Sequence, residues 1–278
     1  MIYIALGDSI SIDEYPDQEL GSKKNGAAQL LANKLFLRGH IDKFVNLTRD
    51  GAQIGEVMTQ QVPRVRVYNE QQCVITITMG GNDISYRSMR TKQRNVACGD
   101  EFQKLLSNVI RDYTDAVIEI RRQFPNSLLV LNTLYDPTDG TGLLPKTCGA
   151  WADIGFQYST GRRYLGNYIR NWGTKLNFAV VADIFKLFDG KGMAEGNRSG
   201  MYYDQFMIEP GAIGAREIAR LWLQTYENAA LAYKPEEKTD DRSDQAVEEC
   251  VGVCAVQGRG DQDGGSEPVD GAGHRADG

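Results

Sequence analysis

Residues 73–79, Cys-Val-Ile-Thr-Ile-Thr-Met, are apolar or β-branched at every position. A strand with one face in water alternates polar and apolar side chains; one that does not alternate is covered on both faces, as the central strands of parallel sheets are. Four more segments read as strands: residues 2–6 (IYIAL), 43–47 (KFVNL), 127–132 (SLLVLN) and 178–184 (FAVVADI). Between them lie stretches with helical spacing: 25–37, 53–60 leading to Pro63, 101–123, 160–176 and 211–232. Residues 101–123 carry the clearest apolar stripe, and Pro125-Asn126 ends it. Strands alternating with helices predict an α/β fold, a mostly parallel sheet of about five strands with helices on both faces. Residues 134–157 and 189–200 read as long loops.

Of the 278 residues, 41% are hydrophobic and 24% charged, which suits a globular chain with a sizeable core. The net charge of −6 argues against a nucleic-acid partner, since phosphate binding needs a basic face. No run of about 18 apolar residues occurs, so no membrane span is expected. The chain opens without a basic-then-apolar leader, so a cytoplasmic protein is expected, or a secreted one whose leader has been removed. The five cysteines lack metal-ligand spacing and read as reduced thiols. No GxxxxGK loop and no His/Cys/Asp cluster is present, so no cofactor or metal is expected. From about residue 233 the composition turns acidic and rich in Gly and Asp. Residues 1–232 are therefore expected to form the domain and 233–278 a disordered tail.

Ligands of parallel α/β sheets bind at the carboxyl ends of the strands. The first strand runs into Gly7-Asp8-Ser9, the second into NLTRDGAQIG and the third into MGGNDIS. Ser9 is thus a candidate nucleophile. The Ser9 and Gly51 backbone N–H groups and the Asn82 side chain are candidate donors to a developing oxyanion. Each also has a structural reading: a turn residue, a positive-φ glycine, a turn-capping asparagine.

These three blocks, GDS at 7–9, N-x-x-x-x-G ending at Gly51 and G-x-N-D at 80–83, resemble the first three sequence blocks of the SGNH, or GDSL-type, esterases and lipases. The resemblance extends over about residues 1–232. It implies a flavodoxin-like three-layer αβα sandwich and hydrolysis of a carboxylic ester through a serine. The oxyanion donors it implies are Ser9, Gly51 and Asn82, and the partner a small-molecule ester.

The family's late Asp-x-x-His departs here. His40 lies between the first helix and second strand, at the opposite sheet edge from Ser9, and His274 lies in the tail. The matching stretch reads YYDQFMIEPGAIGAREIARLW, with Glu209 where histidine is expected and Asp204 five residues upstream. Three readings stay open. Glu209 is the base, its pKa raised by burial or by a like charge such as Asp204 or Asp8. Alternatively the base is Asp136, Asp139 or Lys191. Or no base exists, and the domain is an impaired hydrolase that binds an acyl or glycosyl ligand. Tyr202, Tyr203, Trp151 and Phe156 are candidates to line a substrate groove.

Overall fold

The computed structural model of the chain describes residues 1–90, 99–193 and 198–232. The acidic segment 233–278, with its cysteines and His274, lies outside the described residues, as does the side chain of Trp151.

The five predicted strands form one parallel sheet, β1 (Ile2–Gly7), β2 (Lys43–Asn46), β3 (Cys73–Thr78), β4 (Ser127–Asn132) and β5 (Ala179–Ala182), in the order β2-β1-β3-β4-β5. Successive side chains of a strand point to opposite faces, and this sorts the core into two halves. Ile2, Ile4 and Leu6 of β1, Ile75 and Ile77 of β3, and Leu129 and Leu131 of β4 enter one cluster. Tyr3 and Ala5, Val74, and Leu128 and Val130 enter the other. Truncating a fully buried residue such as Ile77 to Ala costs about 2–5 kcal/mol.

Two helices, α2 (Ala27–Leu37) and α9 (Ala212–Ala232), pack on each other over the second cluster. The other face carries α3 (Ile54–Glu56), α4 (Val62–Val65), α5 (Gly81–Arg90), α6 (Asp100–Gln123) and α7 (Phe156–Gly173). The short α1 (Glu14–Leu20) packs against α9, and α8 (Ile184–Phe188) follows β5. The result is the three-layer αβα sandwich. Among the described residues, no helix is long and apolar enough to cross a membrane.

Several local expectations are corrected. The helical path at 53–60 does not stop before Pro63. It passes through a π-helical turn, Val57–Gln61, into α4, whose first turn holds the proline where no helical N–H is needed. The strand over 178–184 is shorter, because the Asp183 side chain accepts from Lys186 N and starts α8. Arg170 holds that carboxylate through two 2.9 Å bonds. The loop expected over 134–157 runs two residues into α7 and is organised by Asp136. Its carboxylate accepts from Thr138 N at 3.0 Å, Thr138 Oγ1 at 2.6 Å and Gly140 N at 2.9 Å, and also from Ser159 Oγ. The helices α1 and α5 were not legible as helices.

Candidate active site

The first strand ends on Gly-Asp-Ser because β1 and β3 approach too closely there for a side chain. A Cβ on Gly7 would lie 1.9 Å from Thr78 O, and Gly7 holds φ +128°. The strand end is then fixed by polar groups. Gly7 N donates to Gln61 Oε1 at 2.7 Å, and Gln61 Nε2 donates to Gly7 O at 2.9 Å, so one amide side chain imitates a neighbouring strand. Asp8 N donates to Thr78 O at 2.9 Å and approaches Thr78 Oγ1 at 3.1 Å. Asp8 Oδ1 accepts from Ile10 N at 3.2 Å and caps the single 3-10 turn Ser9–Ser11. Ser9 stands at the start of that turn.

The β1–β2 ladder continues past the end of β2. Leu47 N donates to Ala5 O and Arg49 N to Gly7 O, each at 3.0 Å, which brings the Asp50-Gly51 turn alongside Asp8-Ser9. Gly51 adopts φ +68° and Gly80 φ +96°. The turn is sewn to the start of α5: Asn82 Nδ2 donates to Ala52 O at 3.1 Å, and Asp83 Oδ2 accepts from Ile54 N at 3.0 Å. Asn82 Nδ2 carries two hydrogens and spends one on Ala52. Among the described residues, neither the Ser9 N–H nor the Gly51 N–H meets an acceptor. The three strand-end corners thus adjoin one another.

Glu209 arrives from a tight excursion between Tyr202 and Pro210, which pair across a bridge. Within it, Tyr203 N donates to Glu209 O at 2.9 Å and Glu209 N to Phe206 O at 3.0 Å. The Tyr135 hydroxyl, just beyond β4, ties the excursion down by donating to Ile208 O at 2.7 Å. Glu209 is 5% exposed and Ser9 8%. Burial pushes the Glu209 carboxyl up to about 8. The neighbouring Ser9 hydroxyl pulls it back, Asp50 and Asp8 push it further up, and Arg162 pulls it down. Glu209 Oε2 is buried and has no hydrogen-bond partner among the described residues. Asp8 is likewise raised to about 7, first by burial and also by Asp50, against the Ile10 N–H, Arg162 and Thr78.

Glu209 and Ser9 are therefore brought together. Asp204 stands apart: it is exposed, on the outer part of the excursion, and the like charges acting on Glu209 are Asp50 and Asp8. The spacing of five residues could not show this, because the excursion turns back on itself between them. His40 is half-buried, edge-on to Tyr226 with ring centroids 5.5 Å apart, in the turn where Asp42 N bonds Met1 O at the amino edge of the sheet. Asp136 is committed to its loop, and Lys191 Nζ donates to Leu187 O at 2.8 Å. Tyr202 belongs to the core, packed on Tyr135 and Phe188, and Phe156 is exposed.

Two features escaped the sequence. Tyr15 of α1 clusters with Tyr203 and Phe206, at ring-centroid distances of 5.7 and 6.4 Å, beside Glu209 and Asp50. Arg162 of α7 is 7% exposed, with its guanidinium against Gly81 and over the Tyr158 ring at 4.4 Å. Nothing in GRRYLG separates it from its exposed neighbour Arg163.

The domain is thus a parallel-sheet αβα sandwich with Ser9, the Gly51 turn and Asn82 at adjoining strand ends. The family model for GDSL-like lipases and acylhydrolases matches residues 3–220, and the chain belongs to that family. Among solved structures, the lipase Lip_vut3 from a goat rumen metagenome is similar at TM-score 0.61 and 17% identity, covering 81% of this chain and 97% of its own. The acetyl xylan esterase AlAXEase matches at TM-score 0.52 and 17% identity, over 81% of this chain and 98% of its own. An extracellular lipase from Streptomyces rimosus matches at TM-score 0.51 and 17% identity, over 82% and 99%. A search among curated protein sequences returns no match.

Proposed function

We propose that the chain hydrolyses a carboxylic ester of a small acyl group through an acyl-serine intermediate, with Glu209 in the place of the usual histidine. The observation that carries this reading is the buried Glu209 carboxyl beside the nearly buried Ser9 hydroxyl, with its Oε2 unpartnered among the described residues. Ser9 Oγ attacks the ester carbonyl and passes its proton to ionised Glu209. The Ser9 and Gly51 N–H groups and the second Asn82 amide hydrogen receive the carbonyl oxygen as it becomes negative. The tetrahedral adduct collapses, and Glu209 returns the proton to the departing alkoxide. A water then attacks the acyl-serine, Glu209 takes its proton, and the acid leaves as Ser9 is restored.

A carboxyl at about 8 is a stronger base than an ordinary glutamate and still exchanges protons near neutrality. At pH 7 about a tenth of it is ionised, so turnover climbs with pH. The slight exposure of Ser9 and the Tyr15, Tyr203 and Phe206 wall support acetyl-sized acyl groups over long chains. The neutrality of most Glu209 at pH 7 also favours a second reading, a ligand-binding domain with an impaired base. Turnover of p-nitrophenyl acetate at pH 8.5 separates the two. Loss of turnover in Ser9→Ala supports the enzyme; equal background in both proteins supports the binder.

A further inference from the structure

Two buried carboxyl groups, Asp8 and Glu209, stand at the Ser9 corner, and burial makes each hold its proton to higher pH than a free carboxyl does. A base must nevertheless lose its proton. We propose that Arg162 is a positioning residue for this site: its buried guanidinium supplies the positive charge that lets one carboxyl of the pair ionise without leaving the core. The proposal rests on the reading of Glu209 as base and deepens it.

The placement is built rather than incidental. Arg162 Nη1 donates to Tyr135 O at 3.1 Å, and Nη2 reaches Ser85 Oγ at 3.5 Å. The guanidinium stands over the rings of Tyr158 and Tyr135, 4.4 and 5.7 Å from their centroids. It also fills the space a side chain at position 81 would need, with Nη2 3.2 Å from where that Cβ would be. Gly81 immediately precedes Asn82, so the cation backs the loop that carries the proposed oxyanion donor. Among the described residues no carboxylate pairs with it in a hydrogen bond, and its Nε is buried without a partner, as are Tyr158 Oη and Glu209 Oε2. Its fork is held by a backbone carbonyl and a hydroxyl, so its charge is not neutralised by direct contact. It acts at a distance on Asp8, Asp136 and Glu209.

The groups facing Glu209 come from every element packed around it. Asp8 and Ser9 come from the β1 corner, Asp50 from the β2 corner and Tyr15 from α1. Tyr135 comes from the β4 corner, and Tyr158 and Arg162 from α7. The tyrosines are raised by burial first and stay protonated, so Arg162 is the one cation named in this set. Removing it leaves Asp8, Asp50 and Glu209 to repel one another without compensation. An adjacent opposite charge moves a carboxyl by about one pH unit or more, and Arg162 acts here without a direct bond, so a shift of up to about one pH unit is expected.

The test is the pH dependence of kcat/KM for p-nitrophenyl acetate in the full chain, for wild type, Arg162→Gln, Arg162→Lys and Glu209→Gln. Arg162→Gln is expected to move the acid limb alkaline by about one pH unit, lowering kcat/KM at pH 7 about tenfold while most activity returns by pH 9.5. Arg162→Lys keeps the charge and is expected to keep the limb in place even where kcat drops. A folded Arg162→Gln with an unmoved limb, or a pH-independent loss equal in Gln and Lys, overturns the proposal. Should Arg162→Gln fail to fold, Arg162→Met keeps the length of the side chain without its charge, and an unmoved limb there overturns the proposal equally. Glu209→Gln separates the two ideas. A limb that survives in Glu209→Gln refutes the base itself, whereas a limb lost there but unmoved by Arg162→Gln refutes only the role of Arg162.

Discussion

Replacing Glu209 by Gln should stabilise the protein while disabling it, and the size of the gain should depend on pH. Glutamine keeps the shape of the side chain and cannot ionise. In the fold the Glu209 carboxyl is raised from 4.5 to about 8, mainly by burial. Below pH 4.5 both folded and unfolded chains hold the proton, and the group does not penalise folding. As pH rises from 4.5 towards 8 the unfolded chain releases the proton and the folded chain keeps it, so stability is lost continuously across that window. At 1.36 kcal/mol per pH unit, the loss reaches about 3 kcal/mol at pH 7 and about 5 kcal/mol above pH 8. Asp8 carries a penalty of the same sign and eases when its neighbour is neutralised, adding slightly to the gain. Urea unfolding of wild type and Glu209→Gln at pH 5, 7 and 8.5 measures the difference. The midpoints should nearly coincide at pH 5 and separate progressively, the variant being the more stable. Parallel stability curves at all three pH values would refute the claim that this carboxyl is buried and neutral. Ester turnover should fall about 100-fold or more in the same variant at pH 8.5.

Asn82→Ala should lower kcat for p-nitrophenyl acetate about 100-fold, the usual cost of an oxyanion donor, while losing only about 1 kcal/mol of stability with the bond to Ala52 O. Gly7→Ala puts a Cβ against Thr78 O at a φ that L-residues avoid, so it should cost more than about 3 kcal/mol in urea unfolding and abolish turnover with it. Tyr15→Ala opens the aromatic wall and should raise the turnover of an octanoyl ester relative to the acetyl ester about tenfold, measured as a ratio of kcat/KM values.

The sheet was readable because its central strands β1, β3 and β4 are short apolar runs buried on both faces, while the edge strands β2 and β5 are short runs carrying β-branched valine between turn residues. The corner residues Ser9, Gly51 and Asn82 were readable for a related reason: parallel strands deliver their carboxyl ends to one edge, so residues just past them must lie near one another. The helix α5 was hidden because Met-Gly-Gly-Asn-Asp-Ile-Ser begins with glycines and polar residues that mark turns elsewhere. It forms because Asn82 and Asp83 bond the neighbouring corner at Ala52 and Ile54. The helix α1, Glu-Tyr-Pro-Asp-Gln-Glu-Leu, offers little apolar periodicity and holds Pro16 in its first turn. Its support is tertiary, with Gln18 accepting from the Tyr203 hydroxyl at 3.0 Å and Glu19 accepting from Ala212 N at 2.5 Å. The like-charged neighbours of Glu209 were half legible. Asp8 was named, whereas Asp50 is set there by the β1–β2 register and Asp204 is carried outward by its turn. Arg162 was illegible because burial, not residue type, distinguishes it from Arg163.

The central claim is that the Ser9 hydroxyl is the atom acylated by substrate. Reaction of the intact chain with a p-nitrophenyl alkylphosphonate, followed by peptide mass mapping, reads this directly. One adduct, on the peptide containing Ser9 and missing from Ser9→Ala, is the predicted result. An unmodified Ser9 alongside continuing ester turnover, or an adduct on another residue, would contradict it.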